Sequence, residues 1–372
     1  MKKEREYQIC KRCVMDTTDP DIVFDENGYC NHCTKAIESL NKIVFIDEKV
    51  KKQKLDIEIS KIKMAGKGKK YDCVIGLSGG VDSSYLAYIV VKKFGLRPLA
   101  IHLDNGWNSE LAVQNIENIV TKLKIDLETY VINWDEVKDL QRAYLRASVV
   151  DFEVISDNAI SIAINKLMKR HNIKYFISGY NIETESIMPS NWFYSPKYDS
   201  LNIKHIHKLF GDGVKLKNYP LLTFPGYIYY RFFKSIQISA LLNFVDYNKE
   251  NAKEVLKNEL NWRDYGGKHY ESIITKFYQA YILPEKFHID KRKAHLSGLI
   301  CSKQITRKQA LEELQQPLYK TKEEMYNDKE YFIKKMGLSK NEFNEIMNEK
   351  RKEHFDYKSY NKMIEKLKGL IK

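Results

Sequence analysis

The segment from residue 71 to residue 84 constrains the fold of this chain more than any other. An apolar run rich in strand formers, YDCVIGL at 71–77, leads directly into SGGVDSS at 78–84, and a stretch of helical length then ends at Gly95. Two adjacent glycines let the backbone approach an oxyanion closely, and a helix N-terminus offers free N–H groups and a positive dipole end. The pattern predicts a strand, a glycine-rich turn and a helix that together bind phosphate.

The side chains of this turn narrow the chemistry. Three serine hydroxyls add donors for a bound anion, and Asp82 places a carboxylate beside it, which is favourable only if a divalent cation such as Mg²⁺ bridges the two. The GxxxxGK[ST] pattern of a Walker loop is absent, and a plain N-capped turn would not call for this composition. We expect six residues of the turn to contact the phosphates: Ser78, Gly79, Gly80, Asp82, Ser83 and Ser84.

Three further strands are predicted, at 97–107, 127–133 and 174–179, with helical patterns between them. Alternating strands and helices favour an α/β fold with a doubly wound, mainly parallel sheet. Ligands of such sheets lie beyond the carboxyl ends of the strands, so SGGVDSS, HLDN at 102–105 and SGYNIETES at 178–186 should surround one crevice. The alternative for the last segment is a helix start with its capping residue.

Four of the six cysteines lie in the first 33 residues, as two CxxC pairs separated by 16 residues. Zn²⁺ prefers four soft ligands in a tetrahedron, and two such pairs supply them from tight turns. Two disulfides are the poorer interpretation for a chain in a reducing compartment. Between the pairs, residues 25–28 predict a turn that joins two short strands, at 22–24 and 29–30. We therefore expect a zinc ribbon in which a full set of ligands makes the metal structural rather than catalytic: Cys10, Cys13, Cys30 and Cys33.

The net charge of +13 is concentrated in two stretches of the chain. Residues 49–70 carry nine Lys against two acidic residues, and residues 350–372 carry eight basic against three acidic residues. The remainder is nearly neutral, and 11 of the 62 basic residues are Arg, so a broad nucleic-acid surface is not expected. No apolar run is long enough to span a membrane, and the first residues lack the apolar core of a signal peptide, so we expect a cytoplasmic protein.

SGGVDSS matches the SGGxDS loop of the N-type ATP pyrophosphatases, a superfamily that includes GMP, NAD and asparagine synthetases and tRNA-lysidine and tRNA-thiolation enzymes. The resemblance implies cleavage of ATP between the α and β phosphates, activation of a carbonyl oxygen as an adenylate, and displacement of AMP by a nitrogen or sulfur nucleophile. It also implies nucleotide contacts at the ends of the second and fourth strands: His102, Asp104, Gly179, Asn181 and Thr184.

A narrower resemblance comes from the ribbon placed before SGGVDSS and from two later runs, NWRDYGGKHYES at 261–272 and DKRKAHL at 290–296. Together they resemble the N-acetyl sugar amidotransferases of lipopolysaccharide and surface-polysaccharide synthesis, which are thought to convert a sugar acetamido group into an acetamidino group. Adenylation would turn the amide oxygen into a leaving group, and the developing charge needs Mg²⁺ and a fixed cation. Lys268 is the candidate cation, and Glu183, Lys291 and Arg292 are weaker candidates for phosphate or substrate.

The nitrogen source follows by elimination. An N-terminal-nucleophile glutaminase needs a terminal Cys, whereas Met1 is followed here by Lys2, and neither Cys73 nor Cys301 has the setting of a nucleophile elbow. We therefore expect free ammonia or a separate glutaminase. The family resemblance implies a partner like the glutaminase subunit of imidazole glycerol phosphate synthase, with a cyclase-like companion as a further possibility.

We divide the chain into a zinc ribbon (1–45), a basic helical linker (46–70), an ATP pyrophosphatase domain (71–230) and a mostly helical C-terminal region (231–372). The main alternative function is that of a tRNA-modifying ATP pyrophosphatase, because several of those also carry zinc ribbons. Sulfur-transfer members generally need a catalytic Cys or Cys pair near the nucleotide crevice, and no CxxC occurs outside the ribbon. A non-catalytic nucleotide-binding module is a third interpretation, but it would have no need of Asp82.

Overall fold

A parallel five-stranded sheet forms the centre of the protein in a computed structural model, which describes residues 5–230, 236–266 and 270–370. The strand order is β3-β2-β1-β4-β5, and every neighbouring pair is parallel. The strands are β1 (Cys73–Gly76), β2 (Pro98–Asp104), β3 (Asp126–Val131), β4 (Tyr175–Ile177) and β5 (Gln237–Ser239). This is the doubly wound sheet that the sequence predicts, with a short fifth strand that the sequence analysis missed.

Alternation along the central strand explains why helices cover both faces of the sheet. Cys73 and Ile75 belong to the core on one face, whereas Val74 points to the core on the other. The helices that carry the chain between the strands are α3 (Val81–Tyr88, continued as a π-helix over Ile89–Lys93), α4 (Glu110–Leu123), α5 (Trp134–Arg146) and α6 (Val154–Arg170). Because α6 precedes β4, its first turn lies at the carboxyl edge of the sheet.

The N-terminal region consists of the cysteine-bearing turns followed by α1 (Asn31–Ile43) and α2 (Glu48–Ala65). The two short ribbon strands expected from the sequence are reduced to isolated antiparallel bridges, one of them between Phe24 and Cys30. In α2, Ile62 is fully buried, and Leu55 and Ile59 pack against the core of the sheet. This basic segment is therefore helical as expected, and its inner face belongs to the globular body.

The remainder of the chain is mostly helical, which confirms that part of the predicted fold class. Its helices are α7 (Ile182–Glu185), α8 (Ser200–Phe210), α9 (Phe224–Ile228), α10 (Lys249–Leu260), α11 (Ile273–Phe277), α12 (Leu283–Phe287), α13 (Lys291–Cys301), α14 (Arg307–Gln315), α15 (Lys322–Met336), α16 (Lys340–Asn348) and α17 (Tyr360–Leu370). None of the helices in the described ranges combines the length and the hydropathy needed to cross a bilayer.

One large hydrophobic core joins the ribbon to the C-terminal helices. It contains the four ribbon cysteines, Leu40 of α1, side chains of α5 and α6, and buried aromatic residues such as Phe277 and Phe332. This core and the pairing of β5 with β4 both join segments on opposite sides of the predicted boundaries. The four-part division of the chain stays a prediction.

Candidate active site

The predicted phosphate loop joins β1 to α3 at the carboxyl edge of the sheet. Gly79 has a φ of +84°, which L side chains rarely adopt, and Gly80 is the N-cap residue of α3 without a side-chain capping bond. The first-turn N–H groups of α3 therefore lack the side-chain acceptor that usually satisfies them. An anion is the natural partner for such a helix start.

The carbonyl of Gly79 is fixed from the C-terminal side of the chain. Trp262 Nε1 donates to it at 2.7 Å and the Tyr265 hydroxyl donates at 3.0 Å. A Cβ added at Gly79 would lie 2.8 Å from that hydroxyl and 3.0 Å from the carbonyl oxygen of Ala112. The turn is thus narrow enough to require glycine, and its backbone orientation depends on two aromatic residues that lie far along the chain.

Two of the three predicted serines line the loop, and the third lies behind it. Ser78 Oγ and Ser83 Oγ are 3.1 Å apart, and the Gly80 N–H donates to Ser78 Oγ at 3.3 Å. Ser84 is fully buried, and its Oγ has no hydrogen-bond partner within the described part of the chain. Ser78 and Ser83 therefore present hydroxyls to the loop, whereas a nucleotide contact by Ser84 stays a prediction.

Asp82 lies in the first turn of α3 and is held by two residues. The Tyr247 hydroxyl donates to Oδ1, and Asn181 Nδ2 lies 3.5 Å from the same oxygen. Burial, followed by the negative charge of Asp82, raises the pKa of Tyr247 well above its usual range, so its proton stays available to donate. A carboxylate fixed beside an uncapped helix start fits a divalent cation that accompanies a polyphosphate.

The edge of β2 contributes a buried histidine rather than an exposed one. His102 Nδ1 donates to the carbonyl of Leu77 at 2.9 Å, and Asn108 Nδ2 donates to His102 Nε2 at 2.9 Å. This pair of bonds fits the neutral Nδ1–H ring, and burial lowers the pKa of His102. His102 therefore supports the backbone just before the loop. Asp104 stays half-exposed and accepts from the Gly106 N–H at 2.9 Å.

The segment after β4 reaches the loop directly. A Cβ at Gly179 would lie 3.5 Å from the Ser83 backbone nitrogen, so the two turns are in contact. Asn181 is the N-cap of α7: its Oδ1 accepts from the Thr184 N–H and from the Thr184 hydroxyl, each at 2.9 Å. Its side chain thereby links α7 to Asp82. The predicted capping role and the predicted proximity to the loop are both present.

Glu183 is a buried carboxyl group in an unusual setting. Its side chain is 7% exposed, and Oε2 has no hydrogen-bond partner among the residues that the structure describes. Burial raises the pKa of Glu183 to about 7, while the positive charge of Lys51 acts in the opposite direction. A carboxyl pKa raised by burial is a common property of functional carboxyls and also of buried structural ones.

The predicted cations differ in what surrounds them. Lys268 lies outside the described residues, between Gly266 and Tyr270. Lys291 Nζ lies 3.4 Å from Glu153 Oε2. The guanidinium of Arg292 forms three bonds to the carboxylate of its neighbour Asp290 and donates to two carbonyls at the end of α14, so its contacts are those of a packing residue.

The four ribbon cysteines converge as predicted. All four are fully buried, and their Sγ atoms lie within 4.8 Å of one another, with 3.8 Å between Cys10 and Cys33 and 3.5 Å between Cys13 and Cys30. No disulfide joins any of the six cysteines of the chain. Four sulfurs at these separations suit tetrahedral Zn²⁺. His32 is not in the cluster, because its Nε2 pairs with Asp19 at 2.5 Å.

The ribbon is connected to the crevice through α13. Arg307 donates to the carbonyls of Cys10 and Cys13, and the Val14 N–H donates to Ser297 Oγ of α13 at 3.1 Å. On its other side α13 packs on α7, where His295 Nδ1 lies 3.2 Å from the carbonyl of Thr184. The cysteine cluster thereby supports the helix that supports the second crevice segment.

Sequence reasoning missed several residues that hold the loop. Tyr247, Trp262, Tyr265 and Asn108 were assigned no role, although all four contact residues of the loop or its supports. The run NWRDYGG at 261–267 carried a family resemblance and was the only available signal for two of them. Nothing in the sequence marks Tyr247 as a partner of Asp82.

Two family models match separate parts of the chain. The NAD synthase model matches residues 56–179, and the model described as LPS biosynthesis protein WbpG-like, C-terminal domain, matches residues 271–368. The chain thus has one region similar to the NAD synthase model and, after it, one region similar to the WbpG-like C-terminal domain. This confirms the resemblance to the N-type ATP pyrophosphatases and to proteins of lipopolysaccharide biosynthesis.

Curated relatives match over shorter stretches. An uncharacterized protein of Methanocaldococcus jannaschii is 26% identical over 174 residues, which cover 46% of this chain and 59% of that protein. A glutamine-hydrolyzing GMP synthase of Thermosipho africanus is 31% identical over 145 residues, or 36% of this chain and 25% of the synthase. The chain therefore spans less than two thirds of the length of either relative.

Two solved structures are also similar in part. NMN synthetase from Francisella tularensis has 25% identity and a TM-score of 0.29, covering 37% of this chain and 56% of that one. NH3-dependent NAD synthetase from Campylobacter jejuni has 16% identity and a TM-score of 0.28, covering 37% of this chain and 58% of that one.

Proposed function

We propose that this chain is the ATP-using subunit of an amidotransferase that converts the acetamido group of an N-acetylated sugar into an acetamidino group for lipopolysaccharide or surface-glycan synthesis. The observation that carries the proposal is the uncapped N-terminus of α3 with Asp82 in its first turn, in a chain whose later part matches the WbpG-like domain. A donor-rich turn beside a fixed carboxylate suits a polyphosphate with a divalent cation.

The proposed reaction has two steps. First, the acetamido carbonyl oxygen attacks the α-phosphorus of ATP, an O–P bond forms, and the bond to the bridging oxygen breaks to release pyrophosphate. Ammonia then adds to the activated carbon and loses a proton, and the carbon–oxygen bond breaks to release AMP. The adenylate is needed because an amide oxygen is otherwise too poor a leaving group, and two easier steps replace a difficult one.

The residues of the chain have separate tasks in this scheme. The first-turn N–H groups of α3 and the hydroxyls of Ser78 and Ser83 would donate to the pyrophosphate oxygens, positioned where negative charge develops. Tyr247 and Asn181 hold the Asp82 carboxylate in place by the contacts described above. Mg²⁺ bound at Asp82 would supply neutralisation of the phosphate charge.

The remaining site assignments belong to this proposal as well. Lys268 is proposed as the fixed cation beside the phosphates. The nucleotide would lie along the edges of β2 and β4, with contacts from Asp104, Gly179, Asn181 and Thr184, while His102 acts by positioning the backbone of Leu77. Glu183 and Lys291 are the candidates on the sugar side. Zn²⁺ at the four cysteines would be structural, because four protein ligands leave no position open.

The state of the cysteines supports an external source of nitrogen. Four of the six belong to the ribbon cluster, and the other two, Cys73 and Cys301, are buried. Burial raises the pKa of Cys73 beyond its usual range and that of Cys301 to about 12, which disfavours the thiolate that a glutaminase or a sulfur carrier needs. We therefore propose that ammonia comes free or from a separate glutaminase in the cytoplasm. The family resemblance points to a partner like the glutaminase of imidazole glycerol phosphate synthase, with a cyclase-like companion subunit.

The purified chain should release AMP from ATP with an N-acetylated nucleotide sugar or sugar acid and an ammonium salt, but not with glutamine. The rate should rise with pH toward about 9, since only NH₃ has the free electron pair that a nucleophile needs. AMP is quantified for each nitrogen source, and reactions without the sugar measure background ATP cleavage.

Two results would contradict this assignment. Glutamine hydrolysis by the isolated chain would refute the argument from the cysteines. AMP release that depends on a sulfur donor, or on tRNA in place of the sugar, would move the assignment to the tRNA-modifying alternative.

A further inference from the structure

The cysteine cluster of the ribbon would carry excess negative charge once it holds zinc. Cysteine binds the metal as a thiolate, so one Zn²⁺ with four thiolates leaves an excess of two negative charges. All four cysteines are fully buried in the large hydrophobic core, where water screens charge little. A buried charge is costly unless it is paired and hydrogen-bonded, so the surroundings of the sulfurs should supply both kinds of contact.

Backbone N–H groups supply hydrogen bonds to two of the sulfurs. Cys10 Sγ accepts from the N–H groups of Cys13 at 3.4 Å and of Cys30 at 3.2 Å. Cys30 Sγ accepts from the Cys33 N–H at 3.4 Å. These groups are dipoles without net charge, so they stabilise the thiolates but leave the excess of two charges in place.

Arg12 brings the first full positive charge to the cluster. Its Nη1 donates to Cys33 Sγ at 3.9 Å, and its guanidinium carbon lies 3.9 Å from the centre of the Tyr29 ring. The ring holds the planar cation by one face, while one of its N–H groups reaches the sulfur. Arg12 is half-buried, which makes the attraction between opposite charges stronger than it would be in water.

Arg307 brings the second positive charge from the other end of the chain. Its Nε donates to the carbonyls of Cys10 at 3.2 Å and of Cys13 at 3.0 Å, and its Nη2 donates to the Cys10 carbonyl at 3.0 Å. Arg307 is the first residue of α14, inside the segment that matches the WbpG-like domain. Its guanidinium therefore lies beside the first cysteine pair, on backbone atoms of two ligand residues.

We propose that Arg12 and Arg307 together balance the charge of the zinc-loaded cluster, so that the WbpG-like domain helps the ribbon to retain its metal. Two guanidinium charges equal the excess on four thiolates and one Zn²⁺. This inference rests on the proposed structural zinc and does not depend on the proposed reaction. Each arginine should strengthen zinc binding through its charge, whereas a packing residue would stabilise the protein equally with and without the metal.

Zinc affinity is the quantity that tests this proposal. The full chain is equilibrated with Zn²⁺ and a competing chelator of known affinity, at constant pH, for wild type, Arg12→Gln and Arg307→Gln. Each variant should bind zinc about 10- to 100-fold more weakly, as is typical when a residue that supports metal ligands is lost. Arg12→Lys and Arg307→Lys keep the positive charge and should recover most of the lost affinity.

Arg5→Gln is the matched control for the loss of a ribbon arginine. Arg5 also donates to a backbone carbonyl of the ribbon, that of Ile22 at 2.6 Å, and its guanidinium lies over the Phe24 ring. Because neither contact involves a ligand cysteine, the zinc affinity of Arg5→Gln should equal that of wild type.

Thermal melting in excess EDTA separates charge from packing. Without zinc the cysteines can be neutral thiols, so the two arginines have no excess charge to balance. Zinc-free Arg12→Gln and Arg307→Gln should therefore melt at the same temperature as zinc-free wild type, whereas both should melt below wild type when zinc is present.

Several results would overturn the inference. Unchanged zinc affinity in either glutamine variant would show that its charge does not act on the cluster. Equal losses of melting temperature with and without zinc, or no recovery in the lysine variants, would show that the arginines act only by packing. Wild-type protein that binds no zinc would remove the metal together with this inference, and the proposed ATP reaction would be unaffected.

Discussion

The zinc ribbon and the phosphate loop differ in whether a side chain caps the first N–H groups of the helix that follows the turn. Each is a tight turn that leads into a helix, with Cys30 as the N-cap of α1 and Gly80 as the N-cap of α3. At Cys30 the cap side chain accepts from the Cys33 N–H, so the helix start is closed by sulfur. At Gly80 there is no cap side chain, so the first-turn donors stay open to a ligand. One side chain at the cap position thus separates a structural element from a binding element.

The ribbon turns and the phosphate loop also differ in how deeply their residues are buried. The four cysteines are fully buried in the large core, whereas Gly80, Val81 and Asp82 are half-exposed. The ribbon turns are stabilised around their own buried cysteines, whereas the loop is held by hydrogen bonds from residues far along the chain: Tyr247, Trp262 and Tyr265. Damage to the ribbon should therefore appear first as lost stability, and damage to the loop as lost ATP chemistry.

The largest expected effect is that of Asp82→Asn on turnover. Asparagine can still accept from Tyr247, so the free energy of unfolding should change by no more than about 1 kcal/mol. The rate of AMP and pyrophosphate formation should fall by roughly 10³-fold or more, because the charge that holds the cation is gone. Thermal melting and an AMP assay measure the two quantities separately.

Asp135→Asn, on the exposed first turn of α5, is a matched control that should leave both quantities unchanged. Near-normal turnover in Asp82→Asn would show that the cation is held elsewhere. The uncapped helix start at the loop would then not be evidence for a nucleotide site.

Cys13→Ser should produce the second largest effect, and this effect should be on the stability of the protein rather than on turnover. A hydroxyl is a poor ligand for Zn²⁺, so the bound metal should be lost and the free energy of unfolding should fall by about 3 kcal/mol or more. Elemental analysis gives the zinc content, and chemical denaturation gives the stability. Cys301→Ser, at a buried cysteine outside the cluster, should retain the zinc.

Wild-type protein that contains no zinc, or that contains disulfides among these cysteines, would refute the structural metal. Equal stability losses in the two serine variants would show that burial alone, rather than metal binding, accounts for the ribbon.

The smallest expected effect is a difference in ATP binding between alanine variants of two glycines, Gly79 and Gly95, which both have a left-handed backbone conformation. Gly79→Ala introduces a Cβ that collides with the Tyr265 hydroxyl and the Ala112 carbonyl, whereas Gly95, at a φ of +61°, has nothing within 4 Å of its added Cβ. Both variants should lose about 1 kcal/mol of stability from backbone strain. Only Gly79→Ala should also weaken ATP binding, by about tenfold, because the loop must shift.

Calorimetric titration with an ATP analogue that has a methylene group between the α and β phosphorus atoms measures the difference in affinity between the two variants. Chemical denaturation measures the loss of stability that both variants should share. Equal ATP affinities in the two alanine variants would mean that the narrow turn at Gly79 is a matter of packing and not of nucleotide binding.

Much of the fold could be predicted because its signals are local. Four strands were found from short apolar runs with β-forming residues, and the parallel sheet followed from their alternation with helices. β5 was missed because three residues, Gln237–Ser239, carry too little pattern to stand out beside an aromatic segment. The two ribbon strands predicted on either side of a turn are present in the structure only as isolated bridges.

The sequence by itself determined the features whose cause lies within a few residues. Cysteine spacing predicted the cluster, and two glycines followed by Val-Asp-Ser predicted an uncapped helix start, because turn conformation and capping depend on neighbouring side chains. The family matches agree with that local reading.

Only the tertiary structure decided what holds these features in place. The partners of Asp82 and Gly79 lie at Tyr247, Trp262 and Tyr265, all more than 150 positions along the chain. Such contacts arise from how helices pack across the carboxyl edge of the sheet. Packing depends on the shapes of many side chains at once, and no local pattern in the sequence records which of them will meet.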